Sequence, residues 1–104
     1  MQLLVIKLTK EELLEDIITA MTAVGIEEAV VTESSTIQQF MGQNIPIFAG
    51  LRTETRRGGY CKMIAAKIPD KAVLEELKSI LSRAMIDLND EDTGAAFVIP
   101  CEEF

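Results

Sequence analysis

The chain of 104 residues contains no histidine and no tryptophan. Histidine is the side chain whose ordinary titration falls between pH 5 and 8, so its absence excludes His-based acid–base chemistry and most zinc sites. Nor does any serine stand in an elbow motif. No nucleophile–base pair can be assembled, and the chain is not expected to be an enzyme. There are only two cysteines, Cys61 and Cys101. Both lie in strand-like segments and are expected to be buried free thiols rather than a disulfide. Lysine and arginine number 10 against 17 acidic residues, a net charge of −7, which counts against nucleic acid as a partner. An anionic partner would need a local basic patch. Long hydrophobic runs are missing too. The apolar runs, such as LLVI at 3–6, are strand-length and fall far short of the roughly 20 apolar residues of a membrane span. The opening MQLLVIKL has neither a basic segment nor a cleavage site, so no signal peptide is expected and the expected location is cytoplasmic.

What is present is a hydrophobic content of 48% without low-complexity tracts, enough for one compact domain spanning 1–104 with a real core. Residues 2–8 read as a strand. Residues 9–25 read as a helix, with Thr9 as N-cap and Glu12 completing a capping box. Leu13, Leu14, Ile17, Ile18, Met21 and Val24 form its apolar stripe, and Gly25 is the stop. EEAVVTE (27–33) is β-branched and short, a second strand, and YCKMIAAKI (60–68) is a third. Residues 69–85 form a second amphipathic helix with Asp70 as N-cap and Val73, Leu74, Leu77, Leu81 and Ala84 on one stripe. IDLNDEDTG is an acidic turn, and AAFVIPC (95–101) is a fourth strand. The order predicts an α+β, ferredoxin-like βαββαβ fold: an antiparallel four-stranded sheet with two helices on one face.

The first strand adds a constraint. Leu3 and Val5 point one way and Leu4, Ile6 and Leu8 the other, so both faces of the sheet ask for burial while two helices cover only one. The second face is expected to meet another subunit, making the chain a homo-oligomer.

Residues 34–59 form a long connection between the second and third strands. SSTIQQFMGQ could extend strand two and turn at Gly42. NIPIFAGL is apolar, and Pro46 disfavours a helix or a central strand. RTETRRGGY supplies Arg52, Arg56 and Arg57 ahead of a Gly58–Gly59 hinge. Two readings stay open: Ile45, Ile47, Phe48 and Leu51 pack on a neighbouring subunit with the arginines solvated, or the segment is a clamp whose arginines hold an anion by forked hydrogen bonds. The acidic turn alternates Asp87, Asn89 and Glu91 like the start of a calcium loop, but Asp92 replaces the required glycine and no glutamate stands at the twelfth position, so no metal is expected.

The element order, the long connection, VTE at 31–33 and the ending TGAAFVIPCEE together resemble the PII signalling family. Gly94, Phe97, Val98, Pro100, Glu102 and Glu103 match the family's last strand. The resemblance implies a trimer whose strand-two to strand-three connection, the T-loop, reaches partner proteins. It also implies a ligand cleft between subunits, to which Gln38 or Gln39 and the turn residues Thr93 and Gly94 would contribute beside Arg52, Arg56 and Arg57. Departures from the family pattern bear on the ligand. STIQQ (35–39) lacks both glycines of the family's Gly-Phe-Gly-Arg-Gln segment. Asp92 takes the place of the first glycine before strand four, Ala95 takes that of the phosphate-binding lysine, and no Arg-x-Arg segment follows the last strand. A standard ATP site is therefore not expected. The expected function is a PII-like regulatory trimer that senses a small anionic metabolite or an adenine nucleotide and relays it through the connection. One alternative is an adaptor that docks a protein partner through residues 38–59 without any small ligand. The other is a metal-tolerance protein of the CutA type, against which the missing histidines and paired loop cysteines weigh.

Overall fold

Strand β1 (Gln2–Leu8) runs through the middle of a four-stranded sheet, and its alternation divides the sheet into two unlike faces. The structure, a computed structural model, describes residues 1–44 and 60–104. β1 pairs antiparallel with β3 (Tyr60–Ile68) on one side and with β4 (Gly94–Pro100) on the other. β2 (Val30–Ser35) pairs antiparallel with the outer side of β3, giving the order β2-β3-β1-β4. Leu4, Ile6 and Leu8 are buried, and Ala66, Ile64, Val98 and Ala96 lie on the same face as their cross-strand partners.

Two helices close that face. α1 (Leu14–Ala23) contributes Ile17, Ala20 and Met21 to the core, and α3 (Lys71–Arg83) contributes Leu74, Leu77 and Leu81. Side chains such as Ile6, Leu8, Ile17 and Leu77 are all but sealed from solvent, and each such burial stabilises by roughly 1.5–3 kcal/mol. This is the α+β, ferredoxin-like arrangement expected from the sequence. Ile18, placed on the apolar stripe by its spacing, stays 38% exposed at the stripe's edge. Among the described residues no helix is long and apolar enough to cross a membrane.

The helix ends show which local signals prevailed. Thr9 and Glu12 do not make the expected capping box. The segment opens with a 3-10 turn, Glu11–Leu13, and neither cap position, Lys10 or Leu13, offers a side-chain hydrogen bond. The reason is tertiary. The Thr9 and Lys10 N–H groups both donate to the Thr93 carbonyl, at 2.9 and 3.1 Å, so the turn before β4 satisfies amides that a side-chain cap would otherwise serve. At the other end Gly25 (φ 87°) stops the helix as expected. Its N–H donates to the Thr22 carbonyl and that of Ile26 to the Met21 carbonyl, the paired bonds of a Schellman motif, with Ile26 buried behind it. Asp70 caps α3 as predicted, its Oδ1 accepting from the Val73 N–H at 3.0 Å.

Three expectations shift. β2 begins at Val30 and ends at Ser35, later than the 27–33 read from the sequence. A further helix, α2 (Ile37–Asn44), follows it where an extension of the strand was read. Its signal is Thr36-x-x-Gln39, a capping-box spacing, and the Gln39 N–H donates to Thr36 Oγ1 at 3.2 Å. Gly42, read as a turn, lies within this helix. Cys61 is a buried free thiol, but Cys101 is exposed, because β4 ends at Pro100 and leaves it beyond the strand.

Helix α3 ends on a second Schellman-like turn, with the Met85 N–H donating to the Ser82 carbonyl and that of Ile86 to the Leu81 carbonyl. Here the left-handed position is held by Met85 (φ 61°), whose side chain is 92% exposed. A Cβ in that conformation costs roughly 1 kcal/mol, and an exposed side chain returns little packing. Met85→Gly is accordingly expected to raise stability by about 0.5–1 kcal/mol, seen as a higher urea midpoint at unchanged slope.

Candidate functional site

The register places most of the candidate residues at one end of the sheet. Gly94 pairs with Leu8, Leu8 with Lys62, and Lys62 with Glu33, so the start of β4, the end of β1, the start of β3 and the end of β2 form one row. Thr93 and Gly94 stand at the β4 edge of this row. Gln38 and Gln39 follow β2 at the opposite edge, on α2. Three strand spacings separate those edges, about 14 Å. Within one copy the two halves of the expected ligand set do not meet. Arg52, Arg56 and Arg57 lie outside the described residues.

Each half is tied into the fold. Among the described residues the buried polar side chains are Gln39 and Thr93, and no buried side-chain nitrogen or oxygen lacks a hydrogen-bond partner. Gln38 is exposed on α2 while Gln39 is turned inward. The Thr93 carbonyl accepts the two amides that open the first helical segment, and the Thr93 and Gly94 N–H groups both donate to the Asp90 carbonyl, at 2.9 and 3.0 Å. Gly94 has φ 155°, and a Cβ built there would overlap the Lys7 carbonyl oxygen. Glycine at this position is what lets β4 cross so close to β1. Fold geometry alone thus accounts for the Thr-Gly pair.

The charge around this end is mixed. The turn before β4 carries Asp87, Asp90, Glu91 and Asp92. Asp87 Oδ1 accepts from the Asn89 N–H at 2.9 Å and Asp90 Oδ1 from the Asp92 N–H at 3.0 Å, so these two carboxylates fold back on their own backbone as Asx turns. Among the described residues no three His, Cys, Asp or Glu side chains are grouped to hold a metal ion. Lys7 and Lys10 stand beside the turn, and Lys62 pairs with Glu33 across the strands at 3.1 Å. Sequence reasoning passed over these lysines in favour of the arginines. Strand register brings Lys7 and Lys62 to this end of the sheet on opposite faces, Lys62 opposite Leu8 and Lys7 opposite Ala95. An anion at this end would need such cations to offset the acidic turn.

At the opposite end of the sheet Lys67 donates to Glu103 at 2.8 Å. The hydrogen bond first, and the opposite charge second, hold the Glu103 carboxyl below its ordinary 4.5 and the Lys67 ammonium above its ordinary 10.5. The glutamate's contribution to stability is therefore present above its ordinary pKa and fades as pH falls through 4.5 to the lowered value. The lysine's contribution is present below 10.5 and fades as pH rises through the raised value. Both groups are exposed, so the pair is weak.

No family model matches the chain, and no curated protein matches it at a significant level. The likeness to the PII family rests on topology and the short motifs alone, and its functional content is a proposal.

Two outcomes check the local geometry. Gly94→Ala should cost about 2–3 kcal/mol in urea unfolding, because the methyl group meets backbone that cannot yield as a side chain would. In an NMR titration the Glu103 carboxyl should have its midpoint below 4.5, and Lys67→Ala should move it upward. A midpoint indifferent to that substitution would mean the ion pair does not form in solution.

Proposed function

We propose that this protein is a PII-like regulatory oligomer, a ring of three copies. It senses a small anionic metabolite or an adenine nucleotide between copies and passes the binding event to the β2–β3 connection. The observation that carries the reading is the sheet face away from the helices. Val30, Ala65, Val5 and Phe97 form one unbroken apolar row across all four strands on that face. Val30 is 60% and Phe97 59% exposed, and Ile99 lies one step further along β4. A row of this kind on the face of a soluble α+β domain is a surface for association, and a second copy of the same chain is the partner always at hand.

The placement of the candidate residues supports the same reading. Gln38 and Gln39 at one edge and Thr93 and Gly94 at the other share one end of the sheet, so a neighbouring copy can bring the missing half of a cleft to each edge. The ligand is read as anionic because of Lys7 and Lys10 at that end and the three arginines of the connection. Nothing in the reading requires catalysis.

A second reading is favoured by the structural duties of Thr93 and Gly94 and by the acidic turn beside them. It is an oligomeric adaptor that binds no small molecule and docks a protein partner through residues 38–59. Native mass spectrometry with AMP, ADP and ATP added in turn separates the two. The regulatory reading expects a mass of three chains that gains a nucleotide adduct, and loss of that adduct in the Arg52→Ala, Arg56→Ala, Arg57→Ala triple variant. Three chains indifferent to every nucleotide would favour the adaptor. Phe97→Glu places a charge in the apolar row at a position exposed in the single copy. It should yield a folded monomer by circular dichroism and sedimentation, and an unchanged oligomer would remove the row from the interface.

A further inference from the structure

The sheet carries few charges, and register assigns each of them a face. Its four strands hold one acidic residue, Glu33, and three lysines, Lys7, Lys62 and Lys67. Lys62 stands opposite Leu8 on one side and Glu33 on the other, so both charged groups belong to the helix-covered face, where they pair with each other. Lys67 stands opposite Leu3 on the face away from the helices, and Glu103 engages it there. Lys7 is on that open face too, two residues along β1 from Val5, with Met63 and Ala95 as its cross-strand neighbours. No strand residue of the open face is acidic. Among the described residues no carboxylate lies within ion-pair distance of Lys7.

The position becomes costly for a charge once the face is covered. Lys7 is already half-buried in the single copy. It belongs to an inner strand of the sheet and lies one row from Val30, Ala65, Val5 and Phe97, the apolar row through which copies associate in the oligomer reading. A second layer on this face would take most of the remaining water from its ammonium group. A charge buried without a partner is strongly unfavourable.

A second copy cannot make good the deficit from the same surface, because it brings another Lys7 and again no acidic strand residue. In a closed ring every Lys7 lies at the same height and the same distance from the axis. Association through this face therefore gathers like charges. An ammonium group donates hydrogen bonds and accepts none, so what the arrangement lacks is an acceptor carrying negative charge. A divalent oxyanion offers oxygens in several directions and offsets more than one ammonium group at a time.

Resting on the oligomer reading, we propose that the open faces enclose a small inorganic oxyanion of the phosphate or sulfate class, shared by the Lys7 side chains of the copies. The site is distinct from the cleft read at the sheet's margins. Lys7 shares an end of the sheet with Thr93 and Gly94, but it stands in an inner strand on the inward face. The anion is part of the assembly, so its concentration governs how readily copies join.

The test uses the full chain in a zwitterionic buffer at constant ionic strength, with phosphate replacing chloride up to about 10 mM, well below the concentrations at which exclusion from protein surfaces strengthens association. Sedimentation equilibrium should show the dissociation constant falling about tenfold or more as phosphate is added. Equilibrium dialysis with radiolabelled phosphate should find one anion per assembly. Lys7→Met keeps the bulk of the side chain and removes its charge. That variant should stay folded by circular dichroism, associate in the absence of phosphate at least as tightly as the natural chain, and lose the response. One phosphate per chain would overturn the shared site by placing the anion at the sheet's margins. An oligomer indifferent to phosphate, or a Lys7→Met variant that responds like the natural chain, would overturn it and leave the oligomer reading standing. A monomer at about 100 µM with and without phosphate would overturn both.

Discussion

Everything in this fold depends on the central strand being apolar on both sides. β1 is hydrogen-bonded along its whole length to β3 and β4, so its side chains can go only up or down, and in both directions they are largely aliphatic. Upward, Leu4, Ile6 and Leu8 form the floor on which α1 and α3 settle. Downward, Leu3 and Val5 meet no second layer among the described residues. A domain of this size has helices enough for one face. The other face is left as part of the design, and the case for association comes from that imbalance and not from any single surface residue.

The same geometry sorts the candidate chemistry. Strand register brings the turn before β4, the end of β1 and the segment after β2 to one end, and strand order keeps the outer members about 14 Å apart. Thr93 and Gly94 serve the fold first, one by feeding its carbonyl to the start of the first helical segment, the other by leaving room for the Lys7 carbonyl. Any ligand role they have is added to those duties. The chemistry of a site here is accordingly set by what surrounds the pair, the lysines of β1 and β3 against the carboxylates of the turn.

Much of this was legible in the residues. Alternation in QLLVIKL and YCKMIAAKI, the helical stripes of α1 and α3, Gly25 and Asp70 all express local physics that tertiary packing then reinforced. Thr9 failed as a cap because its backbone was recruited by a turn more than eighty residues away, which no local pattern can report. At Thr36-x-x-Gln39 the converse holds: a capping-box spacing is present in the letters, and the segment that could extend strand two is helix instead. Lys7 and Lys62 come to one end of the sheet only through strand register, which no local pattern reports. Arg52, Arg56 and Arg57 were conspicuous by composition, and they fall outside the described residues.

The crossing at Gly94 also limits how the domain can move. β4 lies against the Lys7 carbonyl at a point that admits no Cβ. A slide of β4 along β1 by the two residues that parity demands would bring Asp92 or Ala96 to that point, and both carry one. The close approach at Gly94 thus helps to pin the register between these two strands.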